Sequence, residues 1–120
     1  MLRAMTEEQL IYRLVSESAW QSALAAGVFH GSEHDVRDGF IHFSTAAQVP
    51  ETAARHYAGQ TGLLLLGVKV GVLGSALRWE PSRGGALFPH LYASLHTSAV
   101  TVALPLSLGP DGVHIFPPLE

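Results

Sequence analysis

The stretch GFIHFST, Gly39 to Thr45, sets a histidine and two hydroxyls at the end of an apolar run. In an extended chain Ile41 and Phe43 share one face, and Phe40, His42 and Ser44 share the other. Two chemistries are open to His42. Its ring nitrogens can bond a carbonyl and a hydroxyl inside a packed core, or the ring can contact a ligand together with Ser44. Spacing alone does not separate the two. The strand runs into a helix start near Thr45, whose free N–H groups and positive dipole end suit a phosphate or a carboxylate.

Other residues carry chemistry by type. Arg13, in IYRLV, shares a strand face with Ile11 and Val15. A guanidinium among apolar neighbours either snorkels to the rim or pairs with an anion in a cleft. In RWEP (78–81) Arg78 and Glu80 share a face. They form either a surface ion pair worth under about 1 kcal/mol or place a carboxylate to stabilise a cationic transition state. FPHLY (88–92) is stiff and bulky, and its His90 and Tyr92 are placed to stack on a flat ligand ring. HGSEH (30–34) offers two histidines, but Gly31 and Ser32 break the helix that would align His30 with His34. It is not H-E-x-x-H, and no metal is expected there. His56, His96 and His114 carry no pattern, and the chain has neither a Gly-rich phosphate loop nor a G-x-S-x-G elbow.

Several elements must position these side chains. LIYRLV (10–15) has strand composition. Ser18 and Gln21 have capping-box spacing, with Trp20, Ala23 and Leu24 at helical spacing and Gly27 as a stop, so a helix is predicted over 18–26. Residues 28–38 read as a polar loop. The strand 40–44 leads to Thr45 and Gln48, a second capping pair, and Pro50 suits the first turn of a helix ending near Tyr57. LLLLGVKV (63–70) reads as a central strand buried on both faces. Residues 71–92 read as loop-rich around a short extended piece at 77–79. SAVTVALPL (98–106) is the last strong strand, with a short one at 113–116. Residues 1–9 form a polar lead-in, 10–116 a single globular domain and 117–120 a tail. The order of elements predicts an α+β fold.

Bulk properties narrow the function. The 120 residues suit one domain with a real core. Apolar residues make up 48% and charged ones 14%, the composition of a compact globule. Net charge is −3 with one lysine, Lys69, so binding to nucleic acid through bulk electrostatics is not expected. A small anion held by one or two arginines remains open. The absence of cysteine removes disulfides, thiolate metal sites and thiol nucleophiles. The run TGLLLLGV is too short to span a bilayer, and MLRAMTEEQ lacks the apolar core of a signal peptide, so the expected location is cytoplasmic.

Four segments, IYRLVSESAWQSALAAG, DGFIHFSTAAQVPETAARHYAGQTGLLLLGV, LRWEP and LFPHLYASLHTSAV, closely resemble in order the bacterial family called domain of unknown function 952. The resemblance spans about Leu10 to Leu106. It implies an ADP-ribosyltransferase-like fold, a small split β-sheet with two main helices and a cleft for a nicotinamide dinucleotide (NAD). GFIHFST is similar to a strand of RNA 2′-phosphotransferases, which share that fold. By resemblance His42 and Ser44 line the cleft and Arg13 lies on its first strand. Glu80 stands for the catalytic carboxylate and Tyr92 for a stacking group. Family members usually carry histidine where this chain has Arg13, and arginine keeps the donors but cannot shuttle a proton near neutral pH.

Two functions follow as expectations. One is a transferase-type or phosphotransferase-type enzyme cleaving the C–N glycosidic bond of NAD or a related nucleotide, with Glu80 and His42 catalytic and Arg13, Ser44, Thr45, His90 and Tyr92 binding. NAD is then a substrate, and no other cofactor is expected. The other is a non-catalytic module that holds a nucleotide or sugar phosphate. Either way the expected partner is a small molecule.

Overall fold

In the computed structural model, which describes residues 7–82 and 84–119, the first strand β1 (Leu10–Ser16) buries Ile11 to Val15 without interruption. Both faces are covered because alternate side chains enter different clusters. Ile11 and Val15 join Trp20, Leu66, Val68 and Leu91, while Tyr12 and Leu14 join Val49, Leu63, Leu65 and Leu106. Residues 1–6 of the predicted lead-in and residue 120 of the predicted tail lie outside the described residues.

Helix α1 (Glu17–Ala26) starts one residue earlier than predicted. Ser16 rather than Ser18 is the N-cap, its Oγ accepting from the Ala19 N–H at 3.1 Å, because β1 runs straight into the turn. Gly27 ends the helix in the left-handed conformation, as its sequence position predicts. The loop predicted over 28–38 is a correction. A short strand β2 (Val28–Phe29) is followed by helix α2 (Glu33–Asp38), nucleated in polar sequence by a reciprocal capping box between Ser32 and Asp35. Gly39, at φ 89°, reverses the chain into β3 (Ile41–His42), and Ser44 then bridges Tyr12 of β1.

Thr45 and Gln48 exchange side-chain-to-backbone bonds of 3.0 and 3.2 Å, and helix α3 (Val49–His56) follows with Pro50 in its first turn. Strand β4 (Leu63–Lys69) pairs antiparallel with β1 from Leu63↔Ser16 to Lys69↔Leu10 and is buried on both faces. A short helix α4 (Val70–Leu73) and a 3₁₀ turn (Gly74–Ala76) follow. The segment predicted as loop-rich is instead a hairpin of β5 (Leu77–Ser82) and β6 (Ala86–Leu91). Pro81 is tolerated there because β5 is the edge of its sheet. The chain ends through β7 (Leu95–His96), β8 (Val100–Leu108) and β9 (His114–Ile115).

Among the described residues the strands form sheets of order β1-β4-β8-β9, β3-β6-β5 and β2-β7. The product is a single α+β domain in which α1 and α3 are the longest helices. No described helix is long and apolar enough to cross a membrane.

Candidate functional site

Asp35 organises the site. The capping box fixes it on α2, and its Oδ2 accepts from the Ser32 N–H at 2.6 Å and the Ser32 hydroxyl at 3.0 Å. Its Oδ1 accepts from Arg13 Nη1 at 2.8 Å, from the His42 ring Nδ1 at 2.6 Å and from the His42 backbone N–H at 3.1 Å. Burial pushes this carboxyl up, but the bonds from His42, Arg13 and Ser32 outweigh it and hold Asp35 well below the ordinary carboxylate range. Arg13 therefore does not snorkel to the rim; its Nη1 is paired with Asp35 inside the fold. It is buried, and it also donates to the backbone oxygens of His42 at 3.0 Å and Leu14 at 3.0 Å.

With Nδ1 held by Asp35, the other nitrogen of His42 is aimed. Nε2 lies 3.0 Å from Asp38 Oδ2, and His34 Nε2 lies 3.4 Å from the same oxygen. His34 and Asp38 sit one turn apart on α2, and the His34 and His42 rings are 4.6 Å apart. The His42 side chain keeps 29% of its surface exposed. It opens on a cleft of about 530 Å³, which Arg13 and Ser44 also line. Helix α3 contributes Val49, Thr52, Arg55 and His56 to the lining, and Phe88 adds an apolar surface. The Ser44 hydroxyl is engaged with that of Thr52 at 2.8 Å, and Arg55 forms an exposed pair with Glu51 at 3.1 Å. Among the described residues no buried side-chain nitrogen or oxygen lacks a hydrogen-bond partner.

The remaining sequence candidates gather elsewhere. Thr45 is tied to Gln48 beside the cleft and is not part of its lining. Glu80, His90 and Tyr92 make a second group on the β5–β6 hairpin, where Glu80 Oε1 bonds His90 Nδ1 at 2.8 Å and accepts from the Tyr92 hydroxyl at 2.7 Å. The His90 and Tyr92 bonds keep the Glu80 carboxyl below its ordinary value, and the same carboxylate raises the Tyr92 phenol. The Arg78 guanidinium lies 4.9 Å over the Tyr92 ring, covering a face that was expected to stack on a ligand. Phe40 stacks on His90 at 4.0 Å and tilts against His42 at 4.6 Å, so its ring joins the two groups. His30 does not approach His34 as a pair; it bonds Ser94 at 2.7 Å.

Sequence reasoning passed over Asp35 and Asp38, weighed His34 only as a partner of His30, passed over Thr52 and Arg55, and found no pattern at His56. The signal for the first three was present: Ser32-x-x-Asp35 is a capping box, and it places His34 and Asp38 at i and i+4 of one helix.

Fold and site define an α+β protein with a cleft of mixed polar and apolar lining beside a carboxylate-held histidine. Residues 14–103 match the model of the protein family of unknown function DUF952, and the chain belongs to that family. It is similar to protein CC0527 from Caulobacter crescentus. The X-ray crystal structure of CC0527 shows 50% identity with a TM-score of 0.86, covering 88% of this chain and 93% of that one. Its solution NMR structure shows 51% identity with a TM-score of 0.80, covering 87% and 90%. No curated protein matches the chain.

Proposed function

We propose that this chain binds a nucleotide or sugar phosphate, with NAD and its ADP-ribose portion as the first ligands to test, in the cleft beside His42. The observation that carries the proposal is the Asp35-held imidazole opening on a hollow of about 530 Å³, inside the size range of small-molecule sites. Ser44 and Thr52 supply hydroxyls suited to sugar oxygens, Phe88 and Val49 an apolar surface for a base, and Arg55 with His56 positive or donor groups for phosphate. The ADP-ribosyltransferase-like fold that the family resemblance implies favours a dinucleotide among such ligands. Binding without cleavage is the favoured form. Glu80, the carboxylate which that resemblance assigns to the chemistry, is engaged by His90 and Tyr92 outside the cleft lining.

Thermal unfolding in the presence of NAD, ADP-ribose, AMP and ribose 5-phosphate tests this. A ligand at a hundredfold its Kd stabilises by about 2.7 kcal/mol, a rise in Tm on the order of 10 °C for a domain of this size. The expected result is a rise with at least one of them, lost in Arg55→Ala, and no release of nicotinamide from NAD. No rise with any of the four removes the proposal. Nicotinamide release that Glu80→Gln abolishes replaces it with the enzymatic reading.

A further inference from the structure

We propose that His34, Asp38 and His42 form a binding site for one divalent first-row transition ion, zinc in the first instance, on the wall of the cleft. The three side chains offer His34 Nε2, Asp38 Oδ2 and His42 Nε2, and the candidate ligand atoms of the group all lie within 4.8 Å of one another. Two of the separations are 3.0 and 3.4 Å. Ligand atoms about 2.0–2.1 Å from a tetrahedral zinc stand about 3.3 Å apart, so these two edges already have the spacing that a shared ion sets. The third edge closes by rotation of the His34 side chain, which is 55% exposed.

The second support lies behind the ligands. A metal-binding imidazole normally donates its other N–H to a carboxylate, which fixes its tautomer and direction. His42 Nδ1 meets that condition at Asp35, a carboxylate 1% exposed and itself braced by Arg13. With Nδ1 turned to Asp35, His42 Nε2 is the nitrogen that faces the Asp38 carboxylate, at 3.0 Å. A shared cation can take the place of the proton that otherwise joins these two atoms. Two imidazoles and one carboxylate are a donor set for zinc or another first-row ion with coordination positions left open. All three residues line the cleft, so those positions belong to its interior.

Local chain geometry brings the trio together. His34 and Asp38 are one helical turn apart, Gly39 reverses the chain, and β3 returns His42 alongside α2. One contact competes with the ion. Arg37 bonds His34 Nδ1 at 2.6 Å, and since arginine only donates, that nitrogen is an acceptor while the contact lasts. A metal at Nε2 requires the proton on Nδ1, so the exposed Arg37 must swing away.

The site stands apart from the nucleotide proposal, because it is tested on the protein alone. Tag-free protein is titrated with Zn²⁺ by calorimetry and with Co²⁺ by visible absorption. The expected result is one ion per chain at micromolar affinity or tighter. His34→Gln and Asp38→Asn, both changes at partly exposed side chains that leave the fold intact, each weaken binding by at least about tenfold. His30→Gln, outside the trio, leaves it unchanged. Absence of stoichiometric binding of either ion overturns the site, and so does binding that survives both substitutions. Failure of every nucleotide to bind leaves this result untouched.

Discussion

Asp35 shows how one residue joins fold to site. It caps α2, neutralises the guanidinium of β1 and aims the imidazole of β3, all from a side chain with 1% of its surface exposed. Removing one member of a buried ion pair leaves the other charge uncompensated, which costs about 3–5 kcal/mol. Asp35→Asn is therefore expected to destabilise the chain by that order in urea unfolding and to weaken ligand or metal binding at His42. The pH dependence has a definite sign. The folded-state carboxyl lies below its ordinary 3.8, so its contribution is present at neutral pH and is lost as pH falls below that value. Asp35→Asn should flatten the acid limb of the stability curve. An acid limb unchanged in the variant would show that Asp35 is not the group being titrated.

At the scale of elements, legibility followed hydrophobic pattern. Strands β1, β4 and β8 and helices α1 and α3 have strong apolar or capping signals, and the sequence reading places each within one to two residues. Helix α2 does not. Its six residues, EHDVRD, bury only Asp35, so no apolar period exists to detect and only the Ser32 box marks it. The β5–β6 hairpin was hidden by Pro81 and Pro89, which usually argue against strands. Pro89 nevertheless sits within β6, and its carbonyl accepts from the Phe43 N–H at 3.0 Å. His42 and Ser44 were legible as cleft residues because alternation along GFIHFST is local; Asp38 and His34 were not, because their helix was missed. The lead-in to α2 carries a sharp constraint. Gly31 has φ 102°, and a Cβ there would stand 2.7 Å from the Asp35 Cβ and 3.1 Å from its Oδ2. Gly31→Ala combines a strained backbone with a clash against the organising carboxylate. It is expected to destabilise by about 1–3 kcal/mol and to shift the His42 ring resonances in NMR spectra. Ring shifts identical to the wild type would mean that the α2 turn absorbs the methyl elsewhere.

The whole molecule couples the cleft to a distant end of the chain. Helix α3 carries Thr52, Arg55 and His56 to the cleft, yet its buried residues Val49 and Ala53 rest in the cluster formed with Tyr12, Leu14, Leu63, Leu65 and Leu106. Phe116 and Leu119 pack against that same cluster from the C-terminal side, and α3 contacts β9 directly. His114 fastens the segment through a 2.7 Å bond from its Nε2 to the Gln60 carbonyl, just beyond the end of α3. The final residues therefore close a core whose opposite edge is a cleft wall. Full burial of a side chain such as Phe or Leu is worth about 1.5–3 kcal/mol, and these two are half-buried. Truncation after Gly112 should then cost about 2–4 kcal/mol and lower Tm on the order of 10 °C. Because α3 loses its backing, the truncated chain should also bind any cleft ligand more weakly, although no described residue removed lines the cleft. Parallel thermal unfolding and ligand titration of the full and shortened chains separate the two effects. A fall in Tm with unchanged affinity would show that α3 is held by β1 alone, and an unchanged Tm would show that the second cluster is complete without its cover.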